Sequence, residues 1–84
     1  MGHRAQIKLA QDFAERERGA IDIRFVESAE GVEICAFYKG AGGQAMTASQ
    51  MVPWSAIDFE SEQPLQRAVE QILDGMRRDI QRWK

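Results

Sequence analysis

Cys35 is the only cysteine in this 84-residue chain and His3 its only histidine, which restricts the nucleophilic and metal chemistry available. A cysteine nucleophile needs a base or a positive field that holds it as a thiolate. Cys35 lies between Ile34 and Ala36 in an apolar run, far along the chain from His3, so we expect an inert, half-buried thiol. A closed zinc site needs four ligands, usually Cys or His. We therefore expect neither an internal disulfide nor a metal or other cofactor.

Acidic residues and glycines form two further clusters. Asp58, Glu60 and Glu62 are spaced like paired carboxylates that perform general acid–base catalysis. They also precede a predicted helix, where acidic side chains are favoured electrostatically. The glycine-rich segment 39–43 has the composition of a phosphate loop, but Gln44 follows it instead of the Lys-Ser/Thr of a Walker loop. Neither cluster predicts a catalytic site, and we expect a protein that is not an enzyme.

A basic cluster lies at the end of the C-terminal helical pattern and consists of Arg77, Arg78, Arg82 and Lys84. Such residues can contact phosphates, but they also complement the negative end of a helix dipole and pair with acidic neighbours. The formal net charge is −2, whereas dedicated nucleic-acid binders are usually basic. Weak nucleic-acid binding through these four residues is therefore the alternative function, and protein binding is the function that we favour.

Two amphipathic helices are predicted to frame the chain. Residues 4–18 contain no Gly or Pro, and Gly19 is expected in the αL conformation just past the helix end. The apolar stripe expected to face the core consists of Leu9, Ala10, Phe13 and Ala14, with Ile7 at its edge. The second helix is expected to have Ser61 as its N-cap and Pro64 in its first turn. Its apolar positions are Leu65, Ala68, Val69, Ile72, Leu73, Met76, Ile80 and Trp83.

Three runs between the helices alternate with the period of a β-strand, at residues 20–27, 32–39 and 44–52. A type I turn at 28–31 connects the first two, and the glycine-rich segment connects the last two. Pro53 is expected to end the third strand because it cannot donate to a sheet ladder. Residues 54–60 are interpreted as a loop that lies against the core.

The resulting α-β-β-β-α order predicts one small α+β domain over residues 1–84. We expect a three-stranded antiparallel meander with both helices packed on one face. The expected core is Leu9, Phe13, Ile21, Ile23, Phe25, Leu65, Val69, Ile72 and Leu73. No apolar run has the length of a membrane span or a signal peptide, which favours a cytoplasmic protein.

The element order resembles that of double-stranded-RNA-binding domains, which present a lysine-rich N-terminus of the second helix to phosphates. Here that position holds residues 61–64, with the sequence Ser-Glu-Gln-Pro, and the first basic residue is Arg67. The resemblance is therefore limited to the order of the elements, and it implies no RNA-binding chemistry for this chain.

Packing both helices on one face leaves the opposite sheet face without a layer. Val26, Cys35 and Phe37 fall on that opposite face, which makes it more apolar than a water-exposed sheet face should be. Two interpretations stay open: the 54–60 segment covers these residues, or they form an interface. Likewise, Ile80 and Trp83 in the last helical turn contact either the first helix or another subunit.

These features favour a small non-enzymatic interaction protein that binds another protein and forms a homodimer. Bacterial and phage chains of this size often act as accessory factors or inhibitors. A small core without disulfide or metal also favours self-association. The candidate interface consists of Val26, Cys35, Phe37, Trp54, Ile80 and Trp83.

Overall fold

The computed structural model describes residues 3–59 and 63–82 and confirms the predicted α+β class. Its elements are α1 (His3–Glu17), β1 (Asp22–Glu27), β2 (Gly31–Lys39), β3 (Ala45–Pro53), α2 (Trp54–Phe59) and α3 (Pro64–Arg82). The three strands form one antiparallel sheet in the order β1-β2-β3. Helices α1 and α3 contact each other and the sheet.

The core lies between the sheet and the helices. In β2 the buried side chains are Val32, Ile34 and Ala36, and they alternate with the more accessible Glu33, Cys35 and Phe37. The predicted period of two therefore holds along the central strand. Six residues of α3 meet this layer at helical spacing: Leu65, Ala68, Val69, Ile72, Leu73 and Met76. The predicted core residues Phe13, Ile23 and Phe25 are partly buried against the same cluster.

Leu9 does not belong to the core, which corrects the predicted face of α1. The buried residues of this helix are Ile7, Ala10 and Ala14, spaced three and four apart as one helical face requires. At 3.6 residues per turn, Leu9 points roughly opposite to the mean direction of these three. Its side chain is accordingly 41% exposed. The other members of the predicted stripe are confirmed, since Ala10 and Ala14 are buried and Phe13 is partly buried.

The segment predicted as a loop begins with the short helix α2, directly after β3. Its Ile57 is fully buried in the core, and the backbone oxygen of Ile57 accepts a hydrogen bond from Nε2 of Gln6 in α1 (3.1 Å). The expected contact of this segment with the core is therefore confirmed, but the prediction that the segment is a loop was wrong. Pro53 was expected to follow the end of the third strand. It is instead the last residue of β3 and is paired with Gly31.

The ends of the long helices follow backbone rules. Gly19 has φ 57°, the αL geometry predicted after α1. Helix α3 begins at Pro64, which therefore lies in the first turn as expected. Gln63, with φ 53°, is outside the helix and accepts its first hydrogen bond from the Arg67 amide (3.1 Å), so the helix begins later than a cap at Ser61 predicts. The predicted cap Ser61 lies outside the described residues, as do Trp83 and Lys84.

Candidate protein-interaction surface

The sheet face opposite the helices, called here the open sheet face, is built from three rows of cross-strand neighbours. The strand register defines them as Asp22–Phe37–Thr47, Arg24–Cys35–Ser49 and Val26–Glu33–Met51. Each row takes one residue from each strand because side chains of neighbouring strands in register lie side by side. The residues of the open sheet face therefore follow from the strand alternation that places every second side chain in the core.

Large apolar side chains are exposed on this face. Val26 is 47% exposed, Phe37 41% and Met51 43%. The interpretation that the 54–60 segment covers Val26 and Phe37 is therefore wrong. Helix α2 contacts α1, α3 and the sheet, and Ile57 places it on the core side. Met51 was missed as a site residue, because the alternation along β3 did not by itself tell which of its two sides faces the core.

A shallow depression of about 520 Å³ lies on the first two rows. The residues that line it include the aromatic Phe37, the hydroxyl-bearing Thr47 and Ser49, and the charged Asp22 and Arg24. Asp22 is engaged by Arg18, whose Nη1 lies 3.4 Å from its carboxylate. Arg24 is exposed and has no ion pair among the side chains that the structure describes. The depression thus combines an aromatic ring with a guanidinium available to a partner.

Cys35 lies at the centre of the open sheet face and is half-buried, as predicted. Burial raises the pKa of its thiol, and the Glu33 carboxylate raises it further by its charge and by accepting a hydrogen bond from the thiol. The positive charge of Arg24 lowers the pKa of the Cys35 thiol, but this effect is smaller. Since the net effect favours the protonated form, this environment is unlike that of an activated cysteine nucleophile.

Trp54 and Ile80, two other candidate interface residues, do not belong to the open sheet face. The Trp54 indole Nε1 donates to the backbone oxygen of Ser28 (2.8 Å), and the ring packs at the edge of the core. Ile80 is half-buried against the same core. Ile80 therefore has a contact within its own chain, and its accessible part stays a candidate for contact with another subunit. Trp83, the other residue predicted in the last helical turn, lies outside the described residues.

The basic end of α3 is partly engaged within the chain. The guanidinium of Arg77 donates to the backbone oxygen of Glu17, in the last turn of α1. Arg82 lies 3.8 Å from its i,i+3 neighbour Asp79, and both are exposed. Arg78 is exposed, while Lys84 lies outside the described residues. Arg77 thus links the two long helices, a role that the sequence did not indicate.

Among residues 3–59 and 63–82, no group of three His, Cys, Asp or Glu side chains is arranged to hold a metal ion. In the same part of the chain, none of the helices combines the length and apolar character needed to cross a bilayer. The carboxylates of Asp58, Glu60 and Glu62 lie outside the described side chains. Comparison with protein-family models, curated proteins and solved structures finds no match to this chain.

Proposed function

We propose that this chain is a non-enzymatic, cytoplasmic protein-interaction module that binds another protein through its open sheet face and also self-associates. The observation that supports it is the exposure of Val26, Phe37 and Met51 on one face of the sheet. A one-layer sheet face in contact with water is normally polar. These three residues are not direct cross-strand neighbours, since Glu33 separates Val26 from Met51 and the Arg24–Cys35–Ser49 row separates both from Phe37. Large apolar side chains exposed at three places on one sheet face nevertheless favour an interaction site.

The partner's chemistry follows from the rows of the open sheet face. Phe37 provides an apolar anchor, and aromatic anchors contribute strongly when a partner removes them from water. Arg24, in the next row, offers a guanidinium that binds carboxylates in a bidentate geometry. We therefore propose a partner surface that places an apolar group over Phe37 and an Asp or Glu side chain against Arg24.

The test is affinity capture from an extract of the source cells, followed by identification of the retained proteins. Phe37→Asp should abolish retention of the specific partner because it places a charge where an apolar contact is required. Leu9→Asp is the matched control, since Leu9 is also 41% exposed but lies on α1 and not on the open sheet face. Arg24→Gln should weaken retention and leave the melting temperature close to that of the parent.

The proposal is contradicted if Phe37→Asp and Leu9→Asp retain the same proteins in the same amounts. It is equally contradicted if the parent shifts generic DNA or RNA at physiological salt and Arg78→Ala removes that shift. The second result would favour the nucleic-acid alternative, because loss of a phosphate contact weakens binding and lowers its salt dependence. Arg78 is the suitable residue for this test because Arg77 is engaged with α1.

A further inference from the structure

We propose that β3 is the self-association site: it pairs antiparallel with β3 of a second copy about a two-fold axis at Ser49, forming one six-stranded sheet. This rests on the proposed function in one respect, since it assigns a surface to the self-association named there. The surface is the free edge of the sheet, which is distinct from the open sheet face and from the last turn of α3.

The hydrogen bonds at the ends of the β2–β3 hairpin determine which backbone groups reach that edge. The Gly40 amide donates to the Gln44 oxygen (2.8 Å) and the Trp54 amide to the Glu30 oxygen (3.2 Å). Hydrogen-bonded pairs alternate along an antiparallel ladder, so the even-numbered residues of β3 bond to β2. The odd-numbered residues therefore direct their backbone groups away from β2: Ala45, Thr47, Ser49, Met51 and Pro53.

Pro53 agrees with this assignment, because its missing amide falls on the outer side, where β2 needs no donor. Among the described residues no strand lies beyond β3, since the sheet order ends there. Four consecutive outward N–H groups, of Ala45 to Met51, thus line one edge. An edge of this kind is a template for pairing with another chain.

The two edge strands differ sharply in charge. β1 has the sequence DIRFVE, with three charged residues in six. β3 has the sequence AMTASQMVP and contains no charged residue in nine. Charges on an edge strand protect it from pairing. The chain therefore protects one edge of its sheet and leaves the other able to pair.

The second copy is favoured as the occupant because β3 is complementary to itself. Centring the axis on Ser49 aligns all nine residues, with Thr47 opposite Met51 and Ala45 opposite Pro53 of the second copy. In this register the outward-facing odd-numbered residues oppose one another and form the hydrogen-bonded pairs, while the even-numbered residues keep their bonds to β2, so the ladder can form without rearrangement. No charged side chain of β3 meets another across the axis. A symmetric, self-complementary contact is the usual form of a homodimer interface.

The first test uses proline, which removes one outward amide. Ser49→Pro should convert the dimer to monomer and leave the fold intact, because the Ser49 amide does not bond to β2. Glu27→Pro is the matched control, since the Ser28–Gly31 hydrogen bond gives Glu27 of β1 an outward amide as well. Light scattering at about 50 μM should give twice the mass of 9.5 kDa for the parent and Glu27→Pro, and 9.5 kDa for Ser49→Pro.

A second test measures the register and is informative even if a proline variant fails to fold. In a Cys35→Ser background, Ser49→Cys places two thiols on the axis, at a Cα separation of about 5.5 Å, which a disulfide can bridge. Thr47→Cys in the same background places its two thiols four residues apart along the strand, about 14 Å. Mild oxidation should therefore crosslink the first variant into a covalent dimer and leave the second monomeric on a non-reducing gel.

Three results would overturn the proposal: a monomeric parent, a Ser49→Pro protein that is still dimeric, or equal crosslinking of the two cysteine variants. Phe37→Asp separates this failure from failure of the proposed function. If Phe37→Asp abolishes the dimer and Ser49→Pro does not, self-association uses the open sheet face and the β3 proposal is wrong. If Ser49→Pro alone abolishes the dimer and Phe37→Asp leaves partner capture unchanged, the β3 proposal stands and the binding site for the other protein lies elsewhere.

Discussion

Gly31 begins β2 at a point where the backbone of β3 comes unusually close. A Cβ at this position would lie 2.2 Å from the Val52 oxygen and 2.7 Å from Cα of Pro53. Both atoms belong to the backbone of β3, so no side-chain rotation relieves the contact. Restoring ordinary separations requires the strands to move apart by about 1 Å. We therefore expect Gly31→Ala to combine an overpacking cost of about 1–3 kcal/mol with weakening of a ladder hydrogen bond, about 1 kcal/mol.

Gly75→Ala is the matched control, since it makes the same chemical change in open space. A Cβ at Gly75 meets no atom within 4 Å, and alanine is favoured over glycine within a helix by about 1 kcal/mol. Urea unfolding should therefore lower the free energy of unfolding by about 2–4 kcal/mol for Gly31→Ala and raise it for Gly75→Ala. A Gly31→Ala protein as stable as the parent would refute the assigned approach of β2 and β3.

Three further predictions concern the two long helices and Cys35. Leu73→Ala should cost about 2–5 kcal/mol because the side chain is buried, whereas Leu9→Ala should change stability by less than about 0.5 kcal/mol; equal costs in thermal unfolding would contradict the assigned face of α1. Arg77→Ala should cost about 0.5–1.5 kcal/mol, through loss of its hydrogen bond to Glu17, and a melting temperature equal to that of the parent would contradict this link. The raised pKa of Cys35 favours the protonated thiol in the folded state. The parent should therefore lose stability relative to Cys35→Ser as the pH rises above the ordinary thiol pKa of about 8.5. Parallel dependences of the free energy of unfolding on pH in the two proteins would contradict that environment.

The spacing of apolar residues predicted most of the fold, because each strand or helix must place its apolar residues on the side that faces the core. The strands, the meander order and the apolar face of α3 follow from spacing alone. The predicted stripe of α1 contained its three buried residues and was wrong only for Leu9, because two of the three are alanines, whose small apolar surface gives a weak signal beside Leu9. Helix α2 was missed because six residues are too few to show helical periodicity.

The site was predicted only in part, for a different physical reason. Alternation placed Val26, Cys35 and Phe37 on one face, but whether another segment covers a face depends on tertiary packing. The position of Ile57 decides this, since its burial holds α2 on the core side. The engagement of Arg77 by Glu17 also escaped prediction, because the contact joins residues 60 positions apart. Local charge patterns report only neighbours within a helical turn or two.

Hydrogen exchange of individual amides tests most directly whether β3 is an association edge. The outward amides of β3, at Thr47, Ser49 and Met51, should be protected at high protein concentration and lose that protection on dilution, because only a second copy provides their acceptors. The outward amides of β1 are the internal control: Phe25 and Glu27 share the same edge geometry and should exchange rapidly at every concentration. Rapid, concentration-independent exchange at both edges would contradict the account.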